Sequence, residues 1–106
     1  MVFNTGAALL DAIVLAVVSR TEEGTYGYKI TQDVRETIEV SESTLYPVLR
    51  RLQKDGCLEV YDRQYDGRNR RYYKVTIAGR EKLDMYRTEW TQYTNKINQL
   101  FAGGEK

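Results

Sequence analysis

The chain has 106 residues, with 16 Lys and Arg against 15 Asp and Glu, a net charge of +1, one cysteine and no histidine. That length holds one domain and no second core. A lone Cys57 excludes an intrachain disulfide and a cysteine-based metal site, and without histidine there is no imidazole base, ligand or triad. No paired acids lie in an apolar setting and no glycine-rich phosphate loop is present, so neither an enzyme nor a cofactor is expected.

The longest apolar run, within Ala7 to Val18, is interrupted by Asp11 and is too short to cross a bilayer. Nothing basic precedes it, so no signal peptide is expected and the chain should be cytoplasmic. With Asn4 or Thr5 as cap, this run predicts a first helix to Ser19. Leu9, Leu10, Ile13, Val14, Leu15, Val17 and Val18 leave it almost no polar face, so it should be buried on two sides, one of them against a partner subunit. Thr21 to Gly24 closes it.

Thr25 is placed to cap a second helix from Tyr26 to about Ile38, with Ile30, Val34 and Ile38 on one face. Gly27, between Tyr26 and Tyr28, fits a close backbone approach better than it fits helix propensity. Glu39 and Val40 then lead into a third helix capped from Ser41. Leu45, Val48, Leu49 and Leu52 form its apolar stripe. Ser43, Pro47, Arg50 and Lys54 fall near the opposite pole, with Thr44, Tyr46 and Arg51 on the shoulders. Short hydroxyl side chains followed by cations suit a helix that enters a major groove. A solvated basic surface is the plainer reading of the same face. Pro47 requires either a helix start near Ser43 or a bend. Two helices joined this tightly, the second with a basic face, match a helix-turn-helix.

After Gly56 the period becomes two. Leu58 and Val60, then Tyr73, Val75 and Ile77, predict two strands around an Asp66-Gly67 turn. Arg63, Arg68, Arg70 and Arg71 crowd this hairpin and would repel one another unless an anion is expected, which suggests a wing laid on phosphates or in a minor groove. Cys57 should pack as a small core residue. Thr76 can cap a last helix to about Phe101. Leu83, Tyr86, Trp90, Tyr93, Ile97 and Leu100 are spaced as a heptad seam that seeks the first helix, its own twin in a second subunit, or both. Residues 102–106 should fray.

Tyr26-Gly27-Tyr28, the run Thr44 to Leu52, Asp55-Gly56, Gly67 to Tyr73, Thr76 and Gly79 together resemble the PadR family of bacterial transcriptional regulators, over about Leu9 to Leu100. The resemblance implies a mainly α (α+β) fold: a winged helix-turn-helix DNA-binding domain over 1–76, a single C-terminal dimerisation helix over 77–101 and a tail. It also implies a homodimeric repressor that binds double-stranded DNA at a palindromic operator. Carried over, the recognition positions match Ser43, Thr44, Tyr46 and Arg50, and the wing matches Arg68, Arg70 and Arg71. In drug-binding members a tryptophan at the place of Trp90 faces its twin across the dimer axis, so the resemblance also implies a small aromatic effector. The alternative is that Trp90 fills a seam position between Tyr86 and Tyr93. A protein-interaction module that never touches DNA is compatible with the near-neutral charge.

Overall fold

A computed structural model describes residues 6–103. Its elements are α1 (Ala7–Val18), β1 (Thr25–Tyr26), α2 (Gly27–Arg35), α3 (Glu42–Lys54), β2 (Leu58–Tyr65), β3 (Arg68–Val75) and α4 (Ile77–Phe101). The proposed caps Asn4 and Thr5, and the end of the tail at 104–106, lie outside the described residues.

The core is where the apolar stripes meet. Val14, Leu15 and Val18 of α1, Ile30 and Val34 of α2, and Leu45, Leu49 and Leu52 of α3 are fully buried together, and Leu58, Val75 and Leu83 close the cluster from the sheet and α4. Cys57 is buried among them, as expected of a small apolar residue.

Two helix starts follow from single hydroxyls. Ser41 Oγ accepts the Thr44 N–H at 3.3 Å and opens α3; Thr76 Oγ1 accepts the Gly79 N–H at 3.0 Å and opens α4. Because α3 starts at Glu42, Pro47 lies inside it, where its missing N–H leaves the exposed Ser43 without that helical bond. Thr76 also donates from Oγ1 to the Gly56 carbonyl at 2.6 Å and from its N–H to the Cys57 carbonyl at 3.0 Å, which sews the end of α3 to the start of α4. Gly79 sits so close to this seam that a Cβ there would stand 2.2 Å from the Cys57 carbonyl oxygen.

Three local expectations are corrected. Thr25 does not cap a helix; with Tyr26 it forms a strand that pairs Thr25 with Tyr73 and Tyr26 with Tyr72, giving a three-stranded antiparallel sheet of order β1-β3-β2. The cause is Gly24, whose φ of +96° turns the chain hard against the Tyr73 carbonyl and delivers the next two residues to the sheet edge. The second helix ends at Arg35 instead of Ile38, and Arg35 Nε donates to the Val40 carbonyl at 2.7 Å to hold the longer connection. Ile77 continues the alternation of β3 in sequence but is the first residue of α4 and is 79% exposed, because the Thr76 cap ends the strand first.

Candidate nucleic-acid interface

The exposed face of α3 carries Ser43, Thr44, Pro47, Arg50 and Lys54. At its N-terminal end the three hydroxyls form one group: Ser41 Oγ lies 2.9 Å from Ser43 Oγ and 3.1 Å from Thr44 Oγ1. They stand beside the first-turn N–H groups of Glu42 and Ser43, which precede any intrahelical acceptor, so this end presents donors to any anion or base edge brought to it. Arg50 and Lys54 make no ion pair among the described residues. Arg51 differs from its neighbour. It turns back to pair with the buried Asp11 of α1, although its own side chain stays 43% exposed.

Tyr46 is half-buried and lies on the first turn of α2, where a Cβ on Gly27 would meet its ring Cε1 at 3.0 Å and its hydroxyl at 3.3 Å. The bare Gly27 backbone is therefore what lets the tyrosine settle between α2 and α3. Burial pushes the Tyr46 hydroxyl above its ordinary value.

The wing is a fully paired hairpin running from Leu58 opposite Val75 to Tyr65 opposite Arg68. Asp66 and Gly67 turn it with φ of 56° and 79°, two consecutive positive values of the kind that match strand twist. Alternation along β3 separates the wing arginines. Arg71 and Asn69 fall on the side of the buried Tyr73 and Val75, while Arg68, Arg70 and Tyr72 fall on the other. On that second side the tyrosines take up cations. The Arg70 guanidinium lies 4.1 Å from the Tyr26 ring centroid and 4.4 Å from that of Tyr65, Arg63 lies 5.3 Å from Tyr72, and Tyr72 stacks on Tyr61 at 5.6 Å. Ring stacking is thus a second reason, besides an expected anion, for arginines to tolerate this density. Arg68 and Arg71 are exposed, whereas Arg70 is half-buried.

Between α3 and the wing opens a cleft of about 650 Å³ whose walls include Tyr28, Tyr46, Asn69 and Arg71. It brings Tyr46 of α3 together with the wing, and it adds two residues that sequence reasoning passed over. Asn69 was findable, because it shares the period-two phase of Tyr73. Tyr28, 58% exposed, had no signal beyond its place in the Tyr-Gly-Tyr run.

The heptad residues of α4 divide. Leu83 and Tyr86 are buried in the protomer's own core against α1; Tyr93 and Ile97 are half-buried; Trp90 is 41% and Leu100 70% exposed. Trp90, Leu83 and Tyr86 line an apolar cleft of about 410 Å³ with Leu9, Ile13 and Ile38, so α1 does keep a second, partly uncovered apolar side. No helix among the described residues is long and apolar enough to cross a membrane.

Known proteins share this architecture. The crystal structure of smu.1704 from Streptococcus mutans superposes with a TM-score of 0.86 at 35% identity, covering 100% of this chain and 98% of that one. A PadR-like transcriptional regulator from Bacillus cereus gives 0.82 at 28% identity over 95% and 98% of the two chains. In sequence, the transcriptional regulator Rv3488 of Mycobacterium tuberculosis is 48% identical over 81 residues, 76% of this chain and 72% of that protein. The model of the transcriptional regulator PadR-like family matches residues 14–85. With a winged helix-turn-helix, a long C-terminal helix and that match over more than half its length, the chain belongs to the PadR-like family of transcriptional regulators.

Proposed function

We propose that this DNA-binding regulator acts as a homodimeric repressor that reads a palindromic operator. Ser43, Thr44, Tyr46 and Pro47 of α3 lie at the base edges, Arg50 and Lys54 reach the flanking phosphates, and Arg68 and Arg71 carry the wing onto the backbone while Arg70 stiffens it through its two tyrosine rings. The observation that carries the reading is the cleft of about 650 Å³ that brings Tyr46 of α3 beside Asn69, Arg70 and Arg71 of the wing. Phosphate contacts position such a surface and base contacts give it selectivity. Dimerisation through Trp90, Tyr93, Ile97 and Leu100, supported by their incomplete burial, would set the two α3 helices one DNA turn apart, roughly 34 to 36 Å. Leu83 and Tyr86 belong to the protomer's own core and not to this seam. A cytoplasmic location is part of the same proposal, since a DNA partner would be met there.

Release by a small planar aromatic ligand is the finer part of the proposal. It is supported by the apolar cleft beside Trp90, of a size that suits a small ring system.

The test is fluorescence anisotropy with the duplex upstream of the protein's own gene and with a scrambled duplex, at about 50 and 200 mM salt. Tight preference for the upstream duplex, with affinity falling by ~10³ to 10⁵ across that range, is the result expected for roughly six to ten phosphate contacts. Equal binding to both duplexes would leave only a basic surface, and no binding to either would favour a protein-interaction module.

A further inference from the structure

Asp11 is the carboxylate that the fold buries among the described residues, at 6% exposure. It sits on α1 and accepts from two other helices at once. The guanidinium Nη2 of Arg51 on α3 pairs with Oδ1, and the Tyr86 hydroxyl on α4 donates to Oδ2 at 3.3 Å. These partners are 40 and 75 residues away in the chain, so the contact forms only in the assembled fold.

Stability does not explain this arrangement. Asp11 loses its water while the Arg51 side chain stays 43% exposed, and for such a pair desolvation of the carboxylate and screening of the guanidinium offset most of the attraction. What a satisfied buried network does supply is a single geometry. The apolar stripe of α3, Leu45, Val48, Leu49 and Leu52, can pack in several closely related rotations about the helix axis, since dispersion and burial are non-directional. A bond from Arg51 to a carboxylate on α1 that is itself held by α4 permits one. Arg51 is adjacent to Arg50 on the outward face, so the rotation it selects also aims the DNA-facing side chains.

We propose that Asp11 is a positioning residue for operator recognition, which, through Arg51 and Tyr86, locks the recognition helix to the C-terminal helix. The proposal rests on the reading of the chain as a dimeric DNA-binding regulator. In such a dimer the two α4 helices set the distance between subunits, and the Asp11 tie converts that distance into a fixed separation and angle of the two α3 helices. Loss of the tie should therefore relax the demand for one half-site spacing, and leave general attraction to DNA and dimerisation as they were.

The experiment begins with selection of duplexes from a random library by the wild-type dimer. Affinities are then measured for the selected duplex, for versions with one base pair inserted or removed between the half-sites, and for a random duplex. A one-base-pair change moves a half-site by about 3.4 Å and rotates it. Wild type is expected to reject the respaced duplexes strongly. Asp11→Asn and Tyr86→Phe should each narrow that preference by about 5- to 150-fold, the usual range of coupling between sites, with unchanged affinity for the random duplex and an unchanged dimer by sedimentation. A merely structural role would lower all the affinities in parallel. Should Asp11→Asn fail to fold, Tyr86→Phe still decides, since it removes a single hydroxyl. Retention of the wild-type spacing ratio within about twofold in the folded variants overturns the proposal while leaving DNA recognition intact. Failure of wild type to select any duplex, or selection of one without two half-sites, removes the dimeric reading and the proposal with it.

Discussion

Replacement of Arg70 by alanine separates two roles for a wing arginine. Arg70 lies in the middle strand, and its guanidinium rests on Tyr26 from one edge strand and Tyr65 from the other, at 4.1 and 4.4 Å from the ring centroids. Each contact at a half-exposed site contributes about 0.5–1 kcal/mol, so the pair contributes about 1–2 kcal/mol. In a domain of this size each kcal/mol corresponds to about 4–8 °C in Tm. Arg70→Ala should lower Tm accordingly and speed hydrogen exchange at the amides of β1 and β2, the two strands that the side chain clamps. Arg70→Lys should recover little, because an ammonium does not stack as a planar guanidinium does. Arg71→Ala is the control: it is exposed and makes no ring contact among the described residues, so its stability should stay within about 0.5 kcal/mol of wild type. Its cost should fall on the salt dependence of DNA binding, by about 0.9 in log–log slope for each phosphate that the wing no longer neutralises. If Arg70→Ala leaves Tm and exchange unchanged and lowers the salt slope as Arg71→Ala does, then Arg70 is a phosphate ligand and the clamp reasoning is refuted.

Gly79→Ala should destabilise by about 2 kcal/mol or more despite the better helix propensity of alanine, since its Cβ would lie 2.2 Å from the Cys57 carbonyl oxygen and 2.9 Å from Val75 Cγ1; an unchanged Tm would contradict that close approach. Burial, then the Asp11 carboxylate, pushes the Tyr86 hydroxyl up to about 12 from its ordinary 10.0. Between those values the unfolded chain releases the proton first, so this contribution is complete below pH 10 and declines toward pH 12, by at most about 2.7 kcal/mol. Thermal melts at pH 9 and 11 should show a larger fall for wild type than for Tyr86→Phe, and parallel falls would sink the assignment. Titration of planar aromatic dyes should quench Trp90 fluorescence if the 410 Å³ cleft accepts such rings; absence of quenching across a broad panel would favour Trp90 as a plain seam residue.

The local elements were legible because their signals are short-range. Ser41 and Thr76 as caps, the stripe of Leu45, Val48, Leu49 and Leu52, and the Asp66-Gly67 turn each depend on residues within a turn or two of themselves. The candidate face of α3 could be drawn for the same reason, since helical geometry alone decides which side chains oppose a buried stripe. Gly27 could be marked as a close approach, although only the fold identifies Tyr46 as what approaches it.

Where pattern reading failed, a distant partner had intervened. Thr25 has a capping side chain, yet its backbone is claimed by Tyr73, 48 residues on. Ile77 keeps the phase of a strand, but the strand stops where Thr76 finds the Gly56 carbonyl. A heptad seam names Leu83 and Tyr86 in one breath with Trp90 and Leu100, and spacing cannot say that the first two face α1 of the same chain. Asp11 reads as a mere break in an apolar run until Arg51 and Tyr86 arrive from two other helices.

By itself the sequence determined the four helices and the hairpin, though not the β1 edge strand, together with the polarity of their faces and the family, because capping, periodicity and turn chemistry are nearest-neighbour physics. Only the tertiary structure decided which cations are committed, Arg51 to a buried carboxylate and Arg70 to two tyrosine rings, and which make no ion pair or ring contact among the described residues, Arg50, Lys54, Arg68 and Arg71. A charge is a property of one residue, but its availability depends on what the rest of the chain brings within reach.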